Sequence, residues 1–187
     1  MATKRKYELK KRAEQLAETR RRITEATVEL HRTVGPAATR ISEVARRAGV
    51  QRVTVYNHFP DDASLLAACS AHWRALHPAP DPTAWESDLR GALRELYAWY
   101  RETEPMTANV LRDAESIPAL REIVDGGLGA YLDRVREILA EPFARRDRVD
   151  AALRAALDFH FWRALAPLGD EEAADLAGGF VELAAGS

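Results

Sequence analysis

The chain has 187 residues, of which 47% are hydrophobic and 30% charged, and it contains one cysteine. This length is enough for a substantial hydrophobic core, while a single cysteine excludes an intrachain disulfide and argues against a zinc site built from thiolates. The sequence has no apolar run long enough to span a membrane and no secretion signal at its basic N-terminus. We therefore expect a cytoplasmic protein without membrane contacts.

The net charge of −2 conceals two oppositely charged parts of the chain. Residues 1–60 contain 14 Lys and Arg against 6 Glu, a net charge of +8, whereas residues 61–187 contain 13 Arg against 23 acids, a net charge of −10. A basic N-terminal third can face a polyanion such as DNA.

Residues 1–19 are predicted to form a basic arm that extends the first helix. The cluster Lys4, Arg5 and Lys6 is typical of arms that contact DNA phosphates or the minor groove, and equally of solvated tails, so both interpretations stay open. Four apolar residues that repeat every seven positions indicate the helix itself: Leu9, Leu16, Ile23 and Leu30. We expect its C-terminal half to pack under the helices that follow.

Three consecutive arginines, Arg20, Arg21 and Arg22, lie in the middle of this helix. They are placed where the helix can pass a phosphate strand, and a solvated helix face explains them equally well.

A short helix, a tight turn and a second helix are predicted between Thr39 and Pro60. Thr39 is predicted to cap the first of them, and Gly49 suits a positive φ after its C-terminus. The second helix is predicted from Gln51 to Phe59, because Pro60 cannot donate into the helical ladder. One buried face of the first helix is formed by Ile41, Val44, Ala45 and Ala48.

The exposed side of the second helix is predicted to read DNA. Val55 and Phe59, four residues apart, can anchor the helix to the core. The remaining side chains include hydrogen-bond donors and acceptors and no acid, as a phosphate-facing surface requires: Gln51, Arg52, Thr54, Tyr56, Asn57 and His58. Such a helix fits the major groove of double-stranded DNA, where Arg reads guanine and Asn or Gln reads adenine.

Two stretches carry a resemblance to a known family: residues 46–50, Arg-Arg-Ala-Gly-Val, and residues 54–60, Thr-Val-Tyr-Asn-His-Phe-Pro. Together they resemble the signature of the TetR family of bacterial transcriptional regulators. The resemblance implies that Thr54, Tyr56 and His58 contact the DNA backbone. It implies that Arg40 and Ser42 also touch phosphate. Two positions depart from the family pattern: Gln51 opens the recognition helix where a small residue is frequent, and Asp62 stands where Lys often follows the Phe-Pro pair.

A helix over residues 61–77, capped by Asp61, is predicted to follow the helix-turn-helix. In the family this helix links the two parts of the protein. The resemblance therefore implies that its position controls the spacing of the two DNA-reading heads of a dimer.

Residues 78–187 are predicted to form four or five helices. Asp81 and Pro82 are predicted to start a helix that Pro105 ends, and a shorter helix follows over residues 106–115. The next helix is predicted to start at residues 116–118 and is interrupted by Gly126, Gly127 and Gly129. These glycines permit either close helix packing or a pliable wall beside a ligand.

The last two predicted helices suggest a subunit interface. Residues 149–165, taken as one helix, are apolar on more than one face, and the final helix adds a further apolar face. A homodimer is the preferred interpretation, and a helix buried inside one chain is the alternative. The predicted interface residues are Leu153, Leu157, Phe161, Leu165, Leu176 and Phe180.

A small-molecule effector is predicted to bind among aromatic and polar residues of this region. The candidates are Tyr97, Tyr100, Met106, Asn109, Tyr131, His160, Trp162 and Arg163. An effector that prefers a dimer with wrongly spaced heads releases DNA by differential affinity. The alternative is a regulator controlled by a protein partner, or by nothing.

The sequence carries no catalytic signature, so no enzymatic role, no catalytic residue, no cofactor and no metal site are predicted. The predicted fold is all-α, with four parts. These are an arm over residues 1–19, a three-helix helix-turn-helix DNA-binding domain over 20–60, a linking helix over 61–77, and a helical effector-binding and dimerisation domain over 78–187.

Overall fold

The computed structural model describes residues 2–85, 88–143 and 146–186, with the side chains of residues 2–5 and 146 outside the description. Within these ranges the chain is helical and has no strand, which confirms the all-α prediction. The α-helices in chain order are α1 (Ala2–Thr33), α2 (Ile41–Ala48), α3 (Arg52–His58), α4 (Asp62–Leu76), α5 (Leu89–Ala114), α6 (Pro118–Val124), α7 (Ala130–Ala140), α8 (Arg146–Ala156), α9 (Phe159–Leu165) and α10 (Asp170–Ala185). None of the helices in the described ranges is long and apolar enough to cross a bilayer.

The chain divides into two compact units. The first comprises Met1–His77 together with Pro105–Ile123, and the second comprises Pro78–Glu104 together with Val124–Ser187. Pro105–Ile123 fall within the C-terminal domain predicted from the sequence, whereas the structure groups these residues with the N-terminal helices.

The first unit has its core where α1, α2 and α4 meet. The heptad of α1 divides as predicted, since Leu9 and Leu16 are exposed whereas Ile23 and Leu30 are buried. Cys69 is buried in the same core, and burial raises the pKa of its thiol to about 12, so it is a packing residue. The core residues are Ile23, Val28, Leu30, Val44, Ala45, Ala48, Val55, Phe59, Leu65, Cys69 and Met106.

Helix α5 runs through Pro105, so the prediction that this proline ends a helix is wrong. A proline inside a helix costs about 3 kcal/mol, because its nitrogen cannot donate to the ladder and its ring crowds the preceding turn. Buried residues hold the helix on either side of the proline: Tyr97 and Tyr100 are fully buried in the second unit, and Met106 is buried in the first.

The predicted helix over residues 149–165 is divided into α8 and α9. The carboxylate of Asp158 accepts hydrogen bonds from the backbone N–H groups of His160 and Phe161, at 2.8 and 3.0 Å, and so starts α9. The hydroxyls of Tyr97 and Tyr100 donate to the carbonyls of Ala156 and Leu157, both at 2.7 Å. These bonds satisfy carbonyls that the end of α8 leaves free.

Three short segments complete the helical elements. Pro82–Trp85 forms one 3-10 turn instead of the predicted helix start, and Ala166–Leu168 forms another. The glycine-rich segment Asp125–Gly129 is a π-helix between α6 and α7. Such segments are rare and often lie at functional sites, so the segment fits either interpretation of its glycines.

Candidate nucleic-acid interface

The turn between α2 and α3 closes as the sequence predicts. Gly49 has a φ of 63° in the left-handed region and donates to the carbonyl of Arg46, and Val50 donates to the carbonyl of Ala45 at 3.0 Å. This pair of bonds is a Schellman motif, which ends a helix and turns the chain at once. Only three residues therefore separate α2 from α3.

The start of α2 differs from the prediction. Arg40 occupies the N-cap position without a side-chain cap, and the hydroxyl of Thr39 donates backwards to the carbonyl of Gly35 at 2.8 Å. Thr39 therefore stabilises the loop before α2 and does not cap the helix, because it lies one residue before the N-cap position. The predicted phosphate-binding residues Arg40 and Ser42 are both exposed.

Helix α3 presents the predicted surface. Val55 and Phe59 are buried, with 1% and 2% of their surface exposed, which confirms them as its anchors. Four of the predicted DNA-binding residues are exposed, namely Gln51, Arg52, Tyr56 and Asn57, whereas Thr54 and His58 are partly buried at the margin. Val53, which the sequence analysis did not select, is 57% exposed.

The start of α4 confirms the Asp61 cap. The Asp61 carboxylate accepts a hydrogen bond from the Ser64 backbone N–H at 2.7 Å, and this bond lowers the pKa of the carboxyl. Pro60 lies between the two helices and ends α3 as predicted. Helix α3 is therefore delimited by a turn at one end and a capped helix at the other.

Charges around α2 are mostly paired. Arg46 and Arg47 both bind the carboxylate of Glu43, and their hydrogen bonds lower its pKa to about 2. These two arginines are the basic pair of the motif, and their charge is partly neutralised by this acid.

The arginine triplet of α1 is also engaged. Arg20 donates to the carbonyl of His58, Arg22 donates to the carbonyls of Ala48 and Gly49, and Arg21 pairs with Glu18 and Glu25. In the arm, Lys6 is exposed, and the side chains of Lys4 and Arg5 lie outside the described residues.

The loop between α1 and α2 is held by residues that sequence reasoning missed or assigned elsewhere. The Asp113 carboxylate accepts from the Ala37 N–H at 2.8 Å, and Asn109 donates to the carbonyls of His31 and Arg32 at 3.0 and 2.9 Å. Gly35, with a φ of 92°, has no room for a side chain beside Arg112 and Asp113. No local sequence signal marks Asp113, because its partner is 76 positions away.

The structure distributes the predicted effector residues over both units. Met106 and Asn109 lie in the first unit, and the other six lie in the second. There, Tyr97 and Tyr100 are paired with carbonyls, His160 and Arg163 are exposed, and Arg163 binds Glu104 at 3.1 Å. Two buried donors, the Tyr131 hydroxyl and the Trp162 indole nitrogen, have no hydrogen-bond partner among the described residues.

The predicted interface residues differ in exposure. Leu176 and Phe180 are 52% and 45% exposed on α10, and Phe161 and Leu165 are partly buried. Leu153 and Leu157, by contrast, are buried within the second unit, with 0% and 3% of their surface exposed, so they have no exposed surface to offer to a partner. Leu183, which the sequence analysis did not select, is 72% exposed.

Comparison with known proteins gives one family match. Residues 23–69 match the family model described as bacterial regulatory proteins, tetR family. The matched segment begins in the buried half of α1 and ends at Cys69 in α4, and so includes the whole helix-turn-helix. The search of curated proteins gave no match. Residues 23–69 are therefore similar to the DNA-binding domain of the tetR family, and this match supports a DNA-binding transcriptional regulator.

Proposed function

We propose that the protein is a homodimeric repressor that binds a palindromic operator and releases it when a small molecule binds the C-terminal region. The observation that carries the operator-binding part is the surface of α3, which is exposed, rich in donors and free of acids. In this proposal Arg52, Asn57 and Gln51 reach base edges, while Tyr56 and Thr54 bind phosphate oxygens. Val53 adds an apolar contact of the kind that reads a thymine methyl group.

The dimer is supported by the distribution of residue sizes on α10. The inward face is made of small residues, including Ala173, Ala177 and Gly178, and a side chain at Gly178 would press on the stem of Arg90. The large apolar residues Leu176 and Phe180 instead lie on the outer face. A helix that buries small residues and exposes large ones is best explained by a second copy that covers the outer face.

The effector proposal rests on the two unpaired donors. Burying a polar group without a partner costs about 1–3 kcal/mol, so a ligand with hydrogen-bond acceptors recovers this cost. Trp162 lies in an aromatic cluster with Tyr100 and Phe159, at ring distances of 5.6 and 5.4 Å. We therefore propose an aromatic or apolar effector that carries a carbonyl or carboxylate, to be sought by screening such compounds for operator release.

One observation favours the alternative of a regulator without a small-molecule effector. Tyr97 and Tyr100 are fully buried, and their hydroxyls donate hydrogen bonds to carbonyls of their own unit. This arrangement is typical of a filled core. In that case the regulator is controlled by a protein partner or has no effector at all. Retention of the operator throughout the compound screen favours this alternative.

The first experiment is selection of bound duplexes from a random DNA pool. The most enriched duplex is then titrated with the wild type and with Tyr56→Ala. We expect an inverted repeat whose affinity falls steeply with salt. Tyr56→Ala removes one phosphate hydrogen bond in each half-site and is expected to weaken binding about 100-fold or more.

Tyr56→Phe and Val53→Ala serve as controls for this experiment. Tyr56→Phe removes only the hydroxyl and is expected to reproduce most of the loss. Val53→Ala removes an apolar contact and is expected to change the preferred base and leave the salt dependence intact. Enrichment of no sequence, with Tyr56→Ala equal to wild type, rejects operator reading by α3.

The dimer is tested by Leu176→Asp, with Leu16→Asp as the matched control because both leucines are 52% exposed. In a two-fold symmetric dimer the introduced charge at residue 176 is buried in both subunits. We therefore expect the dissociation constant of the dimer to rise about 100-fold or more. Sedimentation equilibrium measures the effect. A dimer that survives both Leu176→Asp and Phe180→Asp does not use the outer face of α10.

A further inference from the structure

Arg20 holds the end of the recognition helix. Its Nη1 donates to the carbonyl of His58, the last residue of α3, at 2.6 Å, and its guanidinium lies 4.0 Å from the centre of the Phe59 ring. The last carbonyls of a helix have no partner inside the helix, and a cation near them also favours the negative end of the helix dipole. One side chain of α1 therefore binds both the backbone and the anchoring ring of α3.

Arg22 does the same at the end of α2. Its Nε donates to the carbonyl of Ala48 at 3.0 Å, and its Nη2 donates to the carbonyl of Gly49 at 3.1 Å. These two carbonyls belong to the last residue of α2 and to the glycine of the turn. The turn that sets the angle between α2 and α3 is therefore bound to α1.

Arg21 lies between them and has a different role. It binds Glu18 and Glu25 on its own helix, both at 2.6 Å. Among the described residues, it forms no hydrogen bond or ion pair with α2 or α3. The three arginines thus have the same charge and adjacent positions but different partners. This difference provides a matched control.

We propose that Arg20 and Arg22 are positioning residues that determine operator specificity through the placement of α3, without contacting DNA themselves. Helix α3 has only seven residues and is anchored by two buried side chains, Val55 and Phe59. So short a helix needs further constraints on its rotation and tilt. The rotation and tilt of α3 determine base readout, because hydrogen bonds to base edges weaken steeply with misalignment. Phosphate contacts tolerate more misalignment.

This inference rests on the proposed operator reading by α3, and it makes a distinct prediction about salt dependence. An arginine that neutralises a phosphate contributes about 0.9 to the slope of log affinity against log salt concentration. A positioning arginine contributes nothing to that slope. Its loss lowers the ratio of specific to non-specific affinity instead.

The test compares Arg20→Met, Arg20→Lys and the control Arg21→Met on the selected operator and on an unrelated duplex, across salt. For Arg20→Met we expect the specificity ratio to fall about tenfold, the equivalent of one charge-assisted hydrogen bond, with an unchanged salt slope. Arg20→Lys keeps the charge but not the planar group over Phe59, so we expect it to restore the ratio only in part. Arg21→Met is expected to leave the ratio unchanged.

A reduced salt slope in Arg20→Met, or an unchanged specificity ratio, overturns the proposal. Amide hydrogen exchange of the free protein separates this failure from failure of the proposed function. Arg20→Met, but not Arg21→Met, is expected to speed exchange in the last turn of α3, where Phe59 donates to Val55. An unchanged exchange rate overturns the positioning role of Arg20 even when no operator is found. The same two measurements on Arg22→Met test the role of Arg22 at the turn.

Discussion

Replacing Phe59 with alanine is expected to lower the free energy of unfolding by about 3–5 kcal/mol, the range for removing a fully buried aromatic side chain. Phe59 is 2% exposed, belongs to the core of the first unit and carries the Arg20 guanidinium on its ring. The substitution therefore leaves a cavity and removes a cation–π contact at the same time. Urea denaturation followed by circular dichroism measures the change.

Val53→Ala is the control on the same helix, because Val53 is 57% exposed. We expect it to change stability by less than about 0.5 kcal/mol. If Phe59→Ala does not fold, Phe59→Leu keeps most of the volume and is expected to show a smaller loss of the same sign. A loss below about 1 kcal/mol for Phe59→Ala would mean that α3 is not anchored by this ring.

Acidification is expected to destabilise the first unit through His31. This side chain is 6% exposed, and burial lowers its pKa from 6.5 to about 4, against the opposing attraction of Asp113. The unfolded chain therefore takes up a proton before the folded one as the pH falls. The stability contributed by neutral His31 is complete above pH 6.5 and is lost as the pH falls toward about 4.

The expected loss is on the order of 3 kcal/mol, from the free energy that corresponds to a pKa shift of this size. Denaturation curves recorded across this pH window measure it. His31→Gln cannot titrate and is expected to flatten the dependence, whereas His160→Gln, which replaces an exposed histidine, is expected to leave it unchanged. Wild-type stability that stays constant across the window would contradict a neutral, buried His31.

Acid also weakens the loop that precedes α2, at lower pH than the His31 effect. Burial opposes ionisation of Asp113, but hydrogen bonds from Arg112 and from the Ala37 N–H bring the pKa of its carboxyl below the usual value. Protonation of Asp113 removes the acceptor that holds this loop. The two effects are separable because the stability from His31 is lost first as the pH falls.

The helix-turn-helix could be predicted from sequence because its determinants are local. Gly49 ends α2 through its own positive φ, Pro60 stops α3 because it lacks an N–H, and Asp61 caps α4 through a residue three positions away. The exposed face of α3 follows from the spacing of Val55 and Phe59. Each of these signals acts within one or two turns of helix, so neighbouring residues are sufficient to reveal it.

Other features depend on partners that sequence spacing does not identify. Pro105 normally ends a helix, but the buried residues on either side of it keep α5 continuous. The break between α8 and α9 is set by the cap at Asp158, and Tyr97 and Tyr100 close the end of α8 from another part of the chain. Local propensity is worth a few kcal/mol at most, and burial and long-range hydrogen bonds exceed it.

The sequence by itself determined the fold class, the helix-turn-helix and its resemblance to the tetR family, because these follow from local periodicity and from a contiguous motif. Only the tertiary structure decided the roles of equivalent charges. Arg20, Arg21 and Arg22 are chemically identical neighbours, yet two bind the ends of other helices and one binds its own. The physical reason is that a long cationic side chain takes the acceptor that folding brings within reach, and for Arg20 that acceptor lies 38 positions away.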